Sequence, residues 1–296
     1  MTTPSAPATA PPATAPAPAA PASVRRARTR HFLMCPPTHF RVDYAINPWM
    51  STGSPVDAAL ALRQWEGLRA VYQELGHRVS ELVPDPALPD MVFTANGAVV
   101  LDGVAYRARF RHAERAAEAD AHAAWLTASG FEVRGGERIS EGEGDFAVTE
   151  GAILAGTGFR TEPGAALEAQ EVFGRPVIGL RLVDPRYYHL DTALFVLDDG
   201  ADGGPADIAY YPGAFSDASL RVLRRLFPDA LLATEDDAAV FGLNAVSDGR
   251  NVVLPAPAVR LAARLAERGY HPVPVDMGEF VKAGGSVKCC TLEVRG

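Results

Sequence analysis

The chain has 296 residues, with 28 Lys+Arg against 36 Asp+Glu for a formal net charge of −8, seven His, three Cys and 48% hydrophobic residues. That is enough apolar material for a full-sized core, and the acidic balance argues against a phosphate-backbone binder, which carries a basic stripe. Three cysteines without a C-x-x-C pair make neither a disulfide framework nor a zinc module. No run approaches the roughly 18 apolar residues of a membrane span. A soluble cytoplasmic enzyme is expected, with no nucleic-acid and no membrane partner.

The first 22 residues hold nine Ala and seven Pro and no charge. Proline interrupts every apolar stretch, and Arg25, Arg26, Arg28 and Arg30 come last, the reverse of a secretory signal. Residues 1–29 therefore read as a disordered Ala/Pro-rich tail. Residues 30–296 read as a single domain, because no linker divides them and Asp199–Pro205 has the composition of a loop.

After an apolar strand ending at Cys35, Val56–Leu75 carries Leu60, Trp65, Leu68, Tyr72 and Leu75 at helical spacing and stops at Gly76. Val79–Val83 and Ala98–Leu101 are short β-type runs, and Val104–Phe110 pairs back across Asp102-Gly103, a tight-turn dipeptide. A helix is predicted over Ala113–Ala128, then strands at Phe131–Val133, Phe146–Val148 and Ala152–Leu154. The pattern continues with a helix at Gly164–Phe173, strands at Val177–Leu182, Ala193–Val196 and Ile208–Tyr211, and a helix at Ser216–Leu226. Next come Leu231–Ala233 (strand), Asp236–Phe241 (short helix), Val252–Leu254 (strand), Ala258–Arg268 (helix) and His271–Val275 (strand). Met277–Ala283 is read as a helical turn and Val287–Val294 as the last strand. The cycle is strand–strand–helix–strand, roughly 45–55 residues long, a period in the range of propellers. A doubly wound sheet competes, but neither Gly-x-Gly-x-x-Gly nor Gly-x-x-x-x-Gly-Lys occurs.

Polar residues gather at the predicted strand ends: Asn47, Asp90, Asn96, Arg109, Glu141-Gly-Glu-Gly-Asp145, Arg160, His189-Leu-Asp191, Asn244 and Gly285-Ser-Val-Lys-Cys289-Cys290. Asp90 and Asn244 read equally well as caps or turn residues. Cys35 reads as a small buried hydrophobe. Cys289 and Cys290 follow Gly284-Gly285, where the backbone can turn sharply, and in a strand one thiol would face a central site and the other the core. His189 and Asp191, two apart in an extended segment, would share a face, suiting an acid that orients a general acid/base. A Cys, a His and dispersed carboxylates form the pattern of a thiol nucleophile.

These residues carry a resemblance. Phe32-Leu-Met-Cys-Pro-Pro37, Val42-Asp-Tyr-Ala-Ile-Asn-Pro-Trp-Met50, Asp90-Met-Val-Phe-Thr-Ala-Asn96, Gly156-Thr-Gly-Phe-Arg-Thr161, Tyr188-His-Leu-Asp-Thr192, Tyr211-Pro-Gly-Ala-Phe215 and Gly284-Gly-Ser-Val-Lys-Cys289 resemble the guanidine-modifying enzyme superfamily of dimethylarginine dimethylaminohydrolases, arginine deiminases and amidinotransferases. The likeness is greatest to its arginine dihydrolase-type branch. It implies an α/β fold, a five-bladed propeller of pseudo-fivefold ββαβ modules around a central substrate channel. It also implies Cys289 as nucleophile, His189 as acid/base with Asp191, and Arg109 and Arg160 on the substrate carboxylate. Asn47, Asp90, Asn96 and Asp145 are further substrate-site candidates. The family's acidic segment is one residue longer here, leaving Glu141 and Glu143 as alternatives for the guanidinium, with Glu141 expected. Asn96 stands where deiminases and dimethylargininases typically carry Asp, and a neutral amide also suits a neutral ureido group. The expected reaction converts free arginine to ornithine, carbon dioxide and two ammonia without metal or organic cofactor. The alternatives are a dimethylargininase, an amidinotransferase and a non-catalytic binding propeller. A small-molecule substrate is expected, and a homo-oligomer is left open.

Overall fold

The computed structural model describes residues 25–296, so residues 1–24 of the expected tail lie outside it. In chain order, β1 (His31–Met34) leads through α1 (Ala58–Glu74) to β2 (Arg78–Glu81). Three ββαβ modules follow. They are β3 (Ala98–Leu101), β4 (Val104–Arg107), α2 (Glu118–Ala128), β5 (Glu132–Arg134); β6 (Phe146–Val148), β7 (Ile153–Thr157), α3 (Gly164–Phe173), β8 (Val177–Arg181); and β9 (Leu194–Asp198), β10 (Asp207–Tyr210), α4 (Asp217–Leu226), β11 (Leu231–Leu232). A short α5 (Glu235–Ala239) precedes β12 (Val246–Ser247), β13 (Asn251–Pro255), α6 (Val259–Glu267) and β14 (His271–Val275), and α7 (Gly278–Val281) leads to β15 (Leu292–Glu293).

These strands make five three-stranded sheets, each with an antiparallel pair and a third strand running parallel to the middle one. A parallel step needs a crossover, which the helix of each module supplies. The last strand pairs antiparallel with the first, Phe32 opposite Glu293, so the two ends of the chain close the ring. The fold is thus the five-module α/β propeller that the resemblance implied. Helix α1 shows why local sequence suffices for most elements. Asp57 caps it at Leu60 N, and Ala61, Trp65, Leu68 and Tyr72 recur on one buried stripe. No described helix is long and apolar enough to cross a membrane.

Three expectations are corrected, and one strand was not expected. Residues 25–29, the described part of the expected tail, lie against the folded domain. Arg28 N donates to Asp248 O, and Arg25, Arg28 and Arg30 pair with Asp207, Asp198 and Asp199. The helix expected over Ala113–Ala128 is a 3-10 turn (Ala113–Arg115) followed by α2, with Arg115 drawn inward to Glu118. The strand expected over Val287–Val294 shrinks to β15, because Cys290 N bonds to Ser286 O and Thr291 N to Lys288 O, curling the chain. Finally, β12, only two residues long, gave no periodicity to read.

Each innermost strand (β3, β6, β9, β12, β15) is entered from a tight turn, and Asn96, Glu143, Asp191, Asn244 and Cys289 sit on these five turns, 45 to 53 residues apart. Pseudo-symmetry therefore collects residues remote in sequence around one axis.

Candidate active site

Cys289 is 3% exposed. Its Sγ lies 3.3 Å from Asp191 Oδ2 and accepts from Asn244 Nδ2 at 3.1 Å, while its backbone N donates to Asn244 Oδ1 at 3.1 Å. Asn244 thus grips the residue from both sides. It is itself held by Phe241, whose carbonyl accepts from Asn244 N and whose φ is 59°, a left-handed conformation costly for a bulky residue. Burial, and after it Asp191, push the Cys289 thiol well above its ordinary value. Cys290, one residue on, is buried in the apolar cluster of Phe32, Met34 and Tyr72.

His189 contacts Glu141 rather than Asp191: Nε2 lies 2.8 Å from Glu141 Oε2. The expectation that His189 and Asp191 share a face is corrected by the 3-10 turn Leu190–Thr192, which replaces the two-residue period of a strand with a three-residue one. Asp191 is sent to the sulfur and His189 to the neighbouring module. Burial pushes the imidazole down to about 4 despite the Glu141 contact, so it is neutral at physiological pH, donates from Nε2 and keeps Nδ1 as an acceptor.

Burial would keep Glu141 neutral, but Arg160 and the His189 bond outweigh it and hold the carboxyl well below the usual range. Arg160 Nη1 donates to Glu141 Oε2 at 2.8 Å and Nη2 to Ile46 O at 3.0 Å, with the guanidinium over the Tyr188 ring. Glu143 points away from His189 and into ion pairs with Lys288 and Arg295. Asp145 accepts from Leu190 N and Thr161 Oγ1 and lies 3.8 Å from His189 Nε2.

Asn96 is fully oriented by protein. Arg115 Nη1 donates to its Oδ1 at 2.8 Å, and its Nδ2 donates to Glu141 O at 3.3 Å. A Cβ on Gly144 would stand 2.2 Å from Asn96 Nδ2, so only glycine leaves room for that amide. Asp90 accepts from Tyr44 OH and lies 4.0 Å from Arg115. Asp90 Oδ1 and Asp191 Oδ1 are both buried without a hydrogen-bond partner, an arrangement suited to a cation that brings its own donors. Asn47 spends its amide on Tyr188 OH, Ala283 O, Trp49 N and Met50 N, tying its loop to the turn at Gly284, whose φ of 80° only glycine adopts cheaply.

No protein-family model matches the sequence. The dimethylarginine dimethylaminohydrolase of Mycobacterium tuberculosis is 52% identical over 91% of this chain and 87% of its own length. The chain belongs to the guanidine-modifying enzyme superfamily. It is also 37% identical to a bifunctional arginine dihydrolase/ornithine cyclodeaminase of Nostoc, over 89% of this chain but only 37% of that longer protein. The crystal structure of the N-terminal domain of ArgZ, a cyanobacterial arginine dihydrolase, as a Cys-to-Ser mutant bound to substrate, matches with a TM-score of 0.84 at 35% identity, covering 90% of this chain and 98% of that one. Like these relatives, the chain is a hydrolase of guanidino C–N bonds.

In this guanidine-modifying hydrolase the structure brings together Cys289, His189, Asp191, Glu141, Asn96, Arg160 and Asp145. It does not bring Arg109 among them: that side chain is exposed and donates to Glu137 O. The second buried arginine is Arg115, 3% exposed, bonded to Asn96, Asp90 O and Glu118. Arg115 falls within the helix expected over Ala113–Ala128, where no motif singled it out. The clue was Glu118 three residues on, a pair that in helical geometry lies side by side.

Proposed function

We propose that the protein hydrolyses free L-arginine twice, to ornithine, carbon dioxide and two ammonia. Cys289 acts as nucleophile and His189 as general acid/base, with Asp191, Asp90 and Asn96 around the guanidinium. The oriented amide of Asn96 supports this reading: Oδ1 accepts from Arg115 and Nδ2 donates one hydrogen to Glu141 O, which leaves its second N–H for a ligand. That donor suits a ureido oxygen, so citrulline formed in the first round can be held for a second.

A guanidinium against Asp191 and Cys289 offsets the forces that keep the thiol protonated. The sulfur then forms a bond to the guanidinium carbon, a C–N bond breaks, and the thiol proton passes by way of His189 to the departing ammonia. Water adds to the thiouronium carbon, the C–S bond breaks and the thiol is regenerated, leaving one proton for ammonium. General acid/base help of this kind contributes about 10²–10⁴-fold. Glu141 fixes the imidazole by accepting from Nε2.

A second reading, hydrolysis of dimethylarginine to citrulline and dimethylamine, is favoured by the 52% identity to the mycobacterial enzyme. Product analysis after incubation with each substrate separates the two. Ornithine with two ammonia per arginine supports the first; citrulline, from the methylated substrate only, supports the second. Asn96→Asp should turn the inward donor into an acceptor and raise the citrulline-to-ornithine ratio from arginine by about tenfold, the worth of roughly one hydrogen bond.

The pH profile follows from Asp191. Burial pushes its carboxyl up to about 7, against Lys288 and the Cys289 bond. The folded enzyme therefore carries this negative charge only as pH rises through that value, and cation capture needs it. kcat/KM for arginine should fall about tenfold per unit below pH 7, and Asp191→Asn should remove that limb. A wild-type profile flat across that range contradicts the assignment.

A further inference from the structure

The 3-10 turn Gly142–Gly144 and the residue before it carry two buried carboxylates that lead in opposite directions. Glu141 holds His189. Glu143, the other candidate for the guanidinium, has both oxygens taken up by the C-terminal segment instead. Its Oε2 accepts from Lys288 Nζ at 2.5 Å and from Glu293 N at 2.9 Å, and its Oε1 accepts from Arg295 Nη1. Burial favours a neutral carboxyl there, but Arg295 and Lys288 outweigh it and keep Glu143 charged.

Lys288 is the residue before the nucleophile. Its Nζ also donates to Thr291 O at 2.9 Å, its carbonyl accepts from Thr291 N, and its backbone N donates to Asn244 O at 3.3 Å. The ammonium therefore closes the curl that carries Cys289, and Glu143 fixes the ammonium. The turn bearing Glu143 has little freedom of its own. A Cβ on Gly142 would stand 2.6 Å from Ala95 O and one on Gly144 2.2 Å from Asn96 Nδ2, so this turn is wedged against the Asn96 turn. A carboxylate on a wedged turn is a rigid anchor.

We propose that Glu143 is a positioning residue for the nucleophile: through Lys288 it holds the Cys289 curl against the same turn from which Glu141 holds His189, so that one rigid segment sets thiol and imidazole relative to each other. The proposal rests on the reading of Cys289 and His189 as the reacting pair. A displacement of about 1 Å between reacting groups costs on the order of 10²-fold in rate. Substrate binding does not follow, because Asp191, Asp90 and Asn96 surround the guanidinium in that reading.

The test compares Lys288→Met, Glu143→Ala, their double variant and Arg295→Leu, which removes the partner of Glu143 that lies beyond the curl. Lys288→Met and Glu143→Ala should each lower kcat for arginine about tenfold or more, with KM within about twofold of wild type. The double variant should fall no further than the deeper single, because the two residues act as one contact. Glu143→Gln, whose amide oxygen still accepts from Lys288, should recover most of kcat. Arg295→Leu should lower the melting temperature and leave kcat within about twofold. Iodoacetamide labelling of Cys289, assigned by peptide mass, reads the curl without turnover. The thiol is 3% exposed, and Lys288→Met should label about fivefold faster than wild type as local opening bares the sulfur, with Arg295→Leu at the wild-type rate. Should Glu143→Ala not fold, Lys288→Met decides by the same two readouts. Wild-type kcat and labelling in Lys288→Met, additive losses in the double variant, or an equal kcat loss in Arg295→Leu overturn the proposal. No turnover of arginine or dimethylarginine by wild type, with the labelling contrast intact, would instead sink the hydrolytic reading.

Discussion

Cys289→Ser should lower kcat on the order of 10⁴-fold or more, the scale on which removing a covalent nucleophile acts. An alcohol in the same place is far less acidic than a thiol, and a guanidinium pressed against it cannot make it ionise. The contacts argue that the loss is chemical. Asn244 still reaches the backbone N of residue 289, and Asp191 still meets a hydroxyl in place of the sulfur, so arginine should bind with affinity near wild type. Cys290→Ala provides the contrast. That thiol packs among Phe32, Met34 and Tyr72, and its loss should cost about 1–2 kcal/mol of stability while kcat stays within a few-fold of wild type. Steady-state ornithine and citrulline release, with calorimetric arginine binding to Cys289→Ser, measures both. Undiminished conversion by Cys289→Ser would remove the nucleophile from the scheme.

Glu141→Ala should be the most damaging single change to the site, since it affects stability and rate together. The side chain is fully buried and meets Arg160, His189 and the backbone N of Arg111. Taking the carboxylate away leaves the Arg160 guanidinium buried opposite no anion, which costs about 3–5 kcal/mol. It also frees His189 to turn, removing roughly 10²–10⁴-fold of acid/base help. Glu141→Gln separates the effects. It keeps an oxygen for Arg160 or His189 and the shape of the site, so most of the thermal stability should return while kcat stays depressed. Thermal melting and kcat for both variants decide it. Equal kcat for wild type and Glu141→Gln would show that the charge on Glu141 is dispensable to the reaction.

The helix Gly164–Phe173 and the strands Ala98–Leu101, Phe146–Val148 and His271–Val275 have the predicted bounds. In these stretches the local signals agree: a glycine follows the helix, and turn residues flank the strands. Reading failed where a contact from elsewhere overrode local pattern. Val287–Val294 has the composition of a strand, but hydrogen bonds to Ser286 and Lys288 curl it and turn Cys289 toward Asn244. His189 and Asp191 have a strand's spacing, yet they lie in a 3-10 turn and serve different partners. Among the arginines near Phe110, only Glu118 three residues on sets Arg115, buried against Asn96, apart from the exposed Arg109, and that spacing alone does not say which arginine is buried.

The ββαβ rhythm, the residue types needed for thiol chemistry and the glycines that permit sharp turns were all legible along the chain, because each depends on neighbours a few positions away. The pairings Glu141 with His189, Asp191 with Cys289, and Arg115 with Asn96 were not. They join separate turns around the propeller axis, and those turns meet only when Phe32 pairs with Glu293 and the ring closes.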